Sequence, residues 1–174
     1  MFFILLFTII LVAGALIYYV VDAKKAEAEP RAVVPVHRDD TLNRKMLKQS
    51  QTCVESVLTA FDKQLDYSDG GVRLLDQVIA DGWKGKNISM ASRDRVVATF
   101  GAYLGQTFIN NYGGIWYEQP PKGSMPIVFV PKANFEFSPF EIIREKYSRM
   151  SFFDISIAYD DLVKRFKQEL NAIY

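Results

Sequence analysis

The chain has 174 residues, a formal net charge of +1 and 49% apolar side chains, which is room for one ordinary domain and an appendage. That near-neutral balance argues against a nucleic-acid binder, which usually shows a basic face, so no nucleic-acid partner is expected. One cysteine (Cys53) and one histidine (His37) exclude an internal disulfide and leave too few ligands for a zinc site; no metal and no cofactor are expected.

Residues 1–21, MFFILLFTIILVAGALIYYVV, carry no charged side chain. As a helix they would span roughly 31 Å, against a bilayer core of about 30 Å. Tyr18 and Tyr19 fall near one end, where interfacial aromatics are favoured. The rival reading is a signal peptide cleaved at the AEA of residues 26–28. The run lacks a basic n-region and exceeds the usual h-region length, which favours an uncleaved anchor in the lipid bilayer. Lys24, Lys25, Arg31 and Arg38 follow the span, and nothing basic but the amino terminus precedes it. The positive-inside rule then places the C-terminal domain in the cytoplasm of a bacterial inner-membrane, single-pass protein, with a periplasmic domain as the alternative.

Residues 22–39 read as a linker: two prolines interrupt them and no helical period survives. His37 lies there, outside any predicted element. A single domain is expected over residues 40–174. A first helix should begin at Asp40 or Thr41, with Met46, Leu47, Val54, Val57, Leu58, Phe61 and Leu65 recurring at three- and four-residue spacing. Cys53 belongs to that face and reads as a small core residue. A second helix should be capped by Ser68 and carry Val72, Leu75, Val78 and Ile79, ending at Gly82, with Trp83 folding back. GWKGKNIS is a loop.

A third helix should run from Ser92 to Tyr112, with Gly113 as a left-handed C-cap. On a helical wheel it is apolar over most of its circumference, as a central helix would be. Ala98, Gly101, Ala102 and Gly105 make a stripe of small side chains, read as a close-packing face. Arg95, Thr99, Gln106 and Asn110 make a narrow polar strip. Three short strands, Ile115–Glu118, Ile127–Val130 and Asn134–Phe137, suggest an antiparallel meander. Ser138-Pro139-Phe140-Glu141 has serine at N-cap, proline at N1 and glutamate at N3, so a fourth helix should start there and run to Arg149. Residues 152–159 read equally as a strand or as a helix start. From Asp160 a last helix is clear, with Asp160–Lys164 and Asp161–Arg165 as i,i+4 pairs. The fold class expected is α+β: about five helices on a small antiparallel meander, after one transmembrane helix.

Chemistry is sparse. GAYLG lacks the spacing of a dinucleotide loop, no P-loop occurs, and a domain without histidine cannot build a Ser-His-acid set. The run LDYSxGGVxLLD at 65–76, GAYLGQ at 101–106, NNYGGIW at 110–116 and SPFE at 138–141 resembles a family of uncharacterised bacterial domains of unknown function. In that family a G-x-Y-L-G-[EQ] helix precedes a G-G-x-W turn. The resemblance covers residues 55 to 165 and implies a fold but no reaction; where the family motif often has glutamate, this chain has Gln106. The expected function is a membrane-anchored, non-catalytic protein-interaction module of the cell envelope. A small-molecule or cell-wall-fragment sensor and an unrecognised enzyme are the alternatives. The candidate binding residues are Arg95, Gln106, Asn110 and Trp116, for a protein partner of unknown identity.

Overall fold

In the computed structural model, residues 40–83, 89–118, 124–149 and 153–173 are described. They all fall in one unit, His37–Tyr174. The expected anchor (1–21), the linker (22–39), most of the GWKGKNIS loop and residues 119–123 between the first two strands lie outside them. Among the described residues, no helix is long and apolar enough to cross a membrane.

Helix α1, Asp40–Phe61, buries Leu42, Met46, Ser50, Cys53 and Val57. This face is narrower than the sequence pattern suggested. Leu47, Leu58 and Phe61 are 42%, 47% and 36% exposed. Each sits roughly 60–120° round the helix from the centre of the buried row, and the small Ser50 and Cys53 let α1 settle closely on its neighbour along that row. The helix also stops before Leu65. Asp62 takes a left-handed φ of 53°, and its N–H bonds the Leu58 carbonyl at 2.9 Å. Leu65 is buried from the loop that follows.

Helix α2, Asp69–Trp83, starts where its signals indicated. The Ser68 hydroxyl accepts from the Gly71 N–H at 3.0 Å, and the Asp66 carboxylate accepts from the Ser68 N–H and hydroxyl. Those bonds, the hydroxyl first, hold the Asp66 carboxyl below its ordinary range. Gly82 does not end the helix. A Cβ there would lie 2.9 Å from Cζ of Phe61, so this glycine serves a close approach inside the helix.

Helix α3, Met90–Tyr112, starts two residues earlier than expected, because Ser89 rather than a later residue is the N-cap; its hydroxyl accepts from the Ser92 N–H at 3.2 Å. Gly113 caps the other end through its N–H to the Ile109 carbonyl. Its φ is 83° but its ψ is −179°, so the chain leaves the helix extended instead of turning through a left-handed residue. It passes directly into β1, Ile115–Tyr117, then β2, Ile127–Val130, and, after a 3₁₀ turn at Pro131–Ala133, into β3, Phe135–Phe137. The sheet is antiparallel in the order β1-β2-β3. Trp116, Val128 and Phe137 pair in one row across it, and all three are buried.

Helix α4, Pro139–Arg149, carries half of the expected capping box. The Ser138 hydroxyl accepts from the Glu141 N–H, while the Glu141 carboxylate pairs with Arg144. Helix α5, Ile155–Asn171, resolves the ambiguous segment as helix from residue 155 onward: Asp154 is the N-cap and accepts from the Ile157 N–H at 3.1 Å. Asp160 does not hold Lys164 as expected; it lies 3.6 Å from Arg73 of α2. The five helices and three strands bear out the α+β class among the described residues.

Helix α3 packs on α1, α2, α4 and β2, which makes it the centre of the domain. Phe108 of α3 meets the rings of Phe135, Phe137, Tyr159 and Phe166, joining sheet and α5 in one aromatic core.

Candidate functional site

The small-residue stripe of α3 is occupied from within. A Cβ on Gly101 would lie 3.0 Å from Cε1 of Phe140; one on Gly105 would lie 2.6 Å from Cζ2 of Trp116 and 3.0 Å from Cγ of Pro139. The start of α4 and the indole of β1 therefore rest directly on the α3 backbone. Each glycine costs roughly 0.5–1 kcal/mol of helix stability relative to alanine, and this close aromatic packing offsets it.

That packing sets the position of the polar edge. Trp116 is 1% exposed, so it reaches the surface only through its indole N–H, which donates to Oε1 of Gln106 at 3.2 Å. The Gln106 amide in turn donates to Oδ1 of Asn110 at 2.8 Å, one turn along the exposed edge. Three of the four candidate residues thus form one hydrogen-bonded line from core to solvent. Arg95 does not join it. It lies eleven residues before Gln106 on the same face, roughly 16 Å away along the helix. There its carbonyl accepts from Thr99, and its side chain is exposed.

Beside Gln106 runs an open groove of about 460 Å³. Asn43, Arg44 and Leu47 of α1 form one wall; Gln106 and Ile109 of α3, with Gly114, form the other. The Asn43 carboxamide oxygen accepts from the Trp116 backbone N–H at 3.4 Å, which ties α1 to the outer edge of β1. Arg44 is held through its Nε to the Asp40 carbonyl at 3.2 Å. Sequence reasoning missed this wall. The hydrophobic period assigned Leu47 to the core, and nothing in the order of residues brings Arg44 next to Gln106.

A second cluster centres on Tyr103 of α3, two turns before Asn110 on nearly the same side of the helix. The Tyr103 hydroxyl accepts from the Tyr67 N–H at 3.1 Å, and the two rings stack with centroids 5.0 Å apart. The Tyr67 hydroxyl meets that of Ser50 at 3.1 Å, and its carbonyl accepts from Asn111 at 3.1 Å. Burial pushes the Tyr103 phenol up to about 12, so it stays neutral and pins the α1–α2 loop, where Tyr67 holds a left-handed φ of 60°. Cys53 is buried, and burial raises its thiol far above the range in which a thiolate forms, as its place in the core requires. Among the described residues, no three His, Cys, Asp or Glu side chains gather as a metal site needs.

No protein family, no curated protein and no solved structure matches the chain.

Proposed function

We propose that this chain is a membrane-anchored, non-catalytic interaction module of the bacterial cell envelope. Residues 1–21 hold it in the inner membrane as a single-pass span. The 22–39 linker gives the domain reach on the cytoplasmic side, the periplasmic side being the alternative. The protein partner binds at the Gln106–Asn110 edge. The observation that carries this reading is the groove beside Gln106: it is open, it is walled by both polar and aliphatic side chains, and its Gln106 is hydrogen-bonded to exposed Asn110. A small-molecule sensor would call for an enclosed, mostly apolar pocket around Gln106 instead. The helix and turn motifs behind the family resemblance are α3 and the entry to β1, the elements that build this edge.

The test is a photo-crosslinking residue at position 110 of the full-length, membrane-inserted protein, compared with one at Lys164 on α5. A discrete crosslinked partner from position 110 alone is expected. No specific partner from position 110 under any growth condition would sink the reading. Orientation is checked separately by alkaline-phosphatase and fluorescent-protein fusions to Tyr174. A fluorescent fusion without phosphatase activity is expected, and the reverse pattern moves the domain to the periplasm.

A further inference from the structure

Resting on the reading of the groove as a protein-binding site, we infer that its partner presents an acidic–aliphatic segment, with a carboxylate seated on Arg44 and an apolar side chain lying between Leu47 and Ile109. The charge pattern of α1 points this way. From Thr41 to Val54 the helix carries Arg44, Lys45 and Lys48, all exposed, and no acid. Arg44 is the cation that lines the groove. Its Nε is fixed by the Asp40 carbonyl, and among the described residues no carboxylate pairs with its guanidinium. A guanidinium anchored through one nitrogen presents its two Nη groups as a fork that matches a carboxylate. The groove's own acid, Asp40, lies in the first turn of α1, where the helix dipole favours a negative charge.

The opposite wall supplies the rest of the recognition. Gln106 spends one amide hydrogen on Asn110 and its oxygen on Trp116, which leaves one N–H for a peptide carbonyl. Leu47 is 42% exposed and faces the same groove as half-buried Ile109, so an aliphatic side chain from the partner covers both. A partner peptide is favoured over an anionic lipid surface because the groove pairs its single lining cation with an aliphatic side chain on each wall and an amide. A headgroup surface would need a denser basic face.

The experiment screens a randomised hexapeptide library against the full-length protein in nanodiscs of neutral lipid. The expected result is enrichment of peptides with Asp or Glu beside an aliphatic residue. A selected peptide should lose about tenfold or more in affinity when Arg44→Glu is introduced, or when its own acids become amides. The Trp116 indole N–H resonance should shift on binding. Arg44→Glu is an exposed substitution, and an unchanged melting temperature shows that the fold is intact. Enrichment of basic or uncharged peptides, no enrichment, or acidic peptides indifferent to Arg44→Glu overturns the inference. So does Arg44-dependent binding to anionic phosphatidylglycerol vesicles without peptide binding. A partner crosslinked at position 110 alongside any of these failures leaves the interaction reading standing and removes only the acidic–aliphatic segment.

Discussion

A methyl group on Gly105 would run into the Trp116 ring and the ring of Pro139. Alanine is the better helix former by about 1 kcal/mol, so the two effects oppose one another. The clash involves a packed indole that is 1% exposed and has no room to swing, so it wins. Gly105→Ala should lose roughly 1–3 kcal/mol in urea denaturation, and Gly105→Leu at least as much. A variant as stable as the parent would show that the indole can shift freely. The neighbouring residue makes a chemical contrast. Gln106→Leu removes the acceptor of the Trp116 N–H and should cost about 1–3 kcal/mol. Gln106→Glu keeps that acceptor and requires only that the Asn110 amide turn its N–H toward the carboxylate, so it should cost less than half as much. Equal losses in the two variants would mean that the indole bond contributes nothing. The sequence placed Gln106 on the polar strip through the helical period alone. Which residue accepts the Trp116 indole N–H was not legible, because a contact between a helix and the strand after it depends on how tightly Gly113 and Gly114 turn the chain.

At the scale of elements, local chemistry predicted starts better than faces. Ser138-Pro139 marked the start of α4 because a cap and a fixed φ act within four residues. The buried face of α1 was drawn too wide because periodicity cannot say how many of its apolar residues a partner will cover; α3 covers the row from Leu42 to Val57 and leaves Leu47 and Leu58 to solvent. Helix α5 lies between these cases. Its first turn reads as strand by β-branched content, and one cap decides for helix. The Asp154 carboxylate accepts from the Ser156 hydroxyl at 2.6 Å and from the Ile157 N–H, and these bonds hold its pKa below the ordinary value. A carboxyl depressed in the folded state adds stability that is fully present above its unfolded pKa and is lost as pH falls through the folded one. Asp154→Ala should therefore cost about 1 kcal/mol at neutral pH, with the gap to the parent shrinking below about pH 4. Denaturation curves collected at pH 7, 5 and 3 check this. A gap that stays constant to pH 3 would separate the effect from the carboxylate's charge.

Across the whole molecule, α2 meets the much later, consecutive helices α4 and α5 at one ion pair. Lys146 of α4 lies 2.8 Å from Asp76 of α2, with the two side chains 7% and 14% exposed. The ammonium also donates to the Phe153 carbonyl just before α5, and Asp76 accepts from the Ile155 N–H at the start of that helix. Nothing in the sequence distinguishes Lys146 from the exposed cations around it. It follows Glu145 in a helix whose other charges face solvent, and its burial arises only when α2 and α5 close over it. Such a pair contributes little net stability when intact, since desolvation offsets much of the attraction, but breaking it leaves one charge stranded. Lys146→Met should lower stability by roughly 3–5 kcal/mol because the Asp76 carboxylate stays behind. Asp76→Asn in the same chain removes that charge and still offers an oxygen to the Ile155 N–H, so the double variant should recover at least about half of the loss. The single and double variants are compared by urea denaturation followed through both far-UV dichroism and tryptophan fluorescence. Coincident curves in the parent and divergent ones in Lys146→Met would identify the pair as the tie that makes α2, α4 and α5 unfold together. Purely additive losses from the two substitutions would show that the ammonium and carboxylate are held by their backbone partners and not by each other.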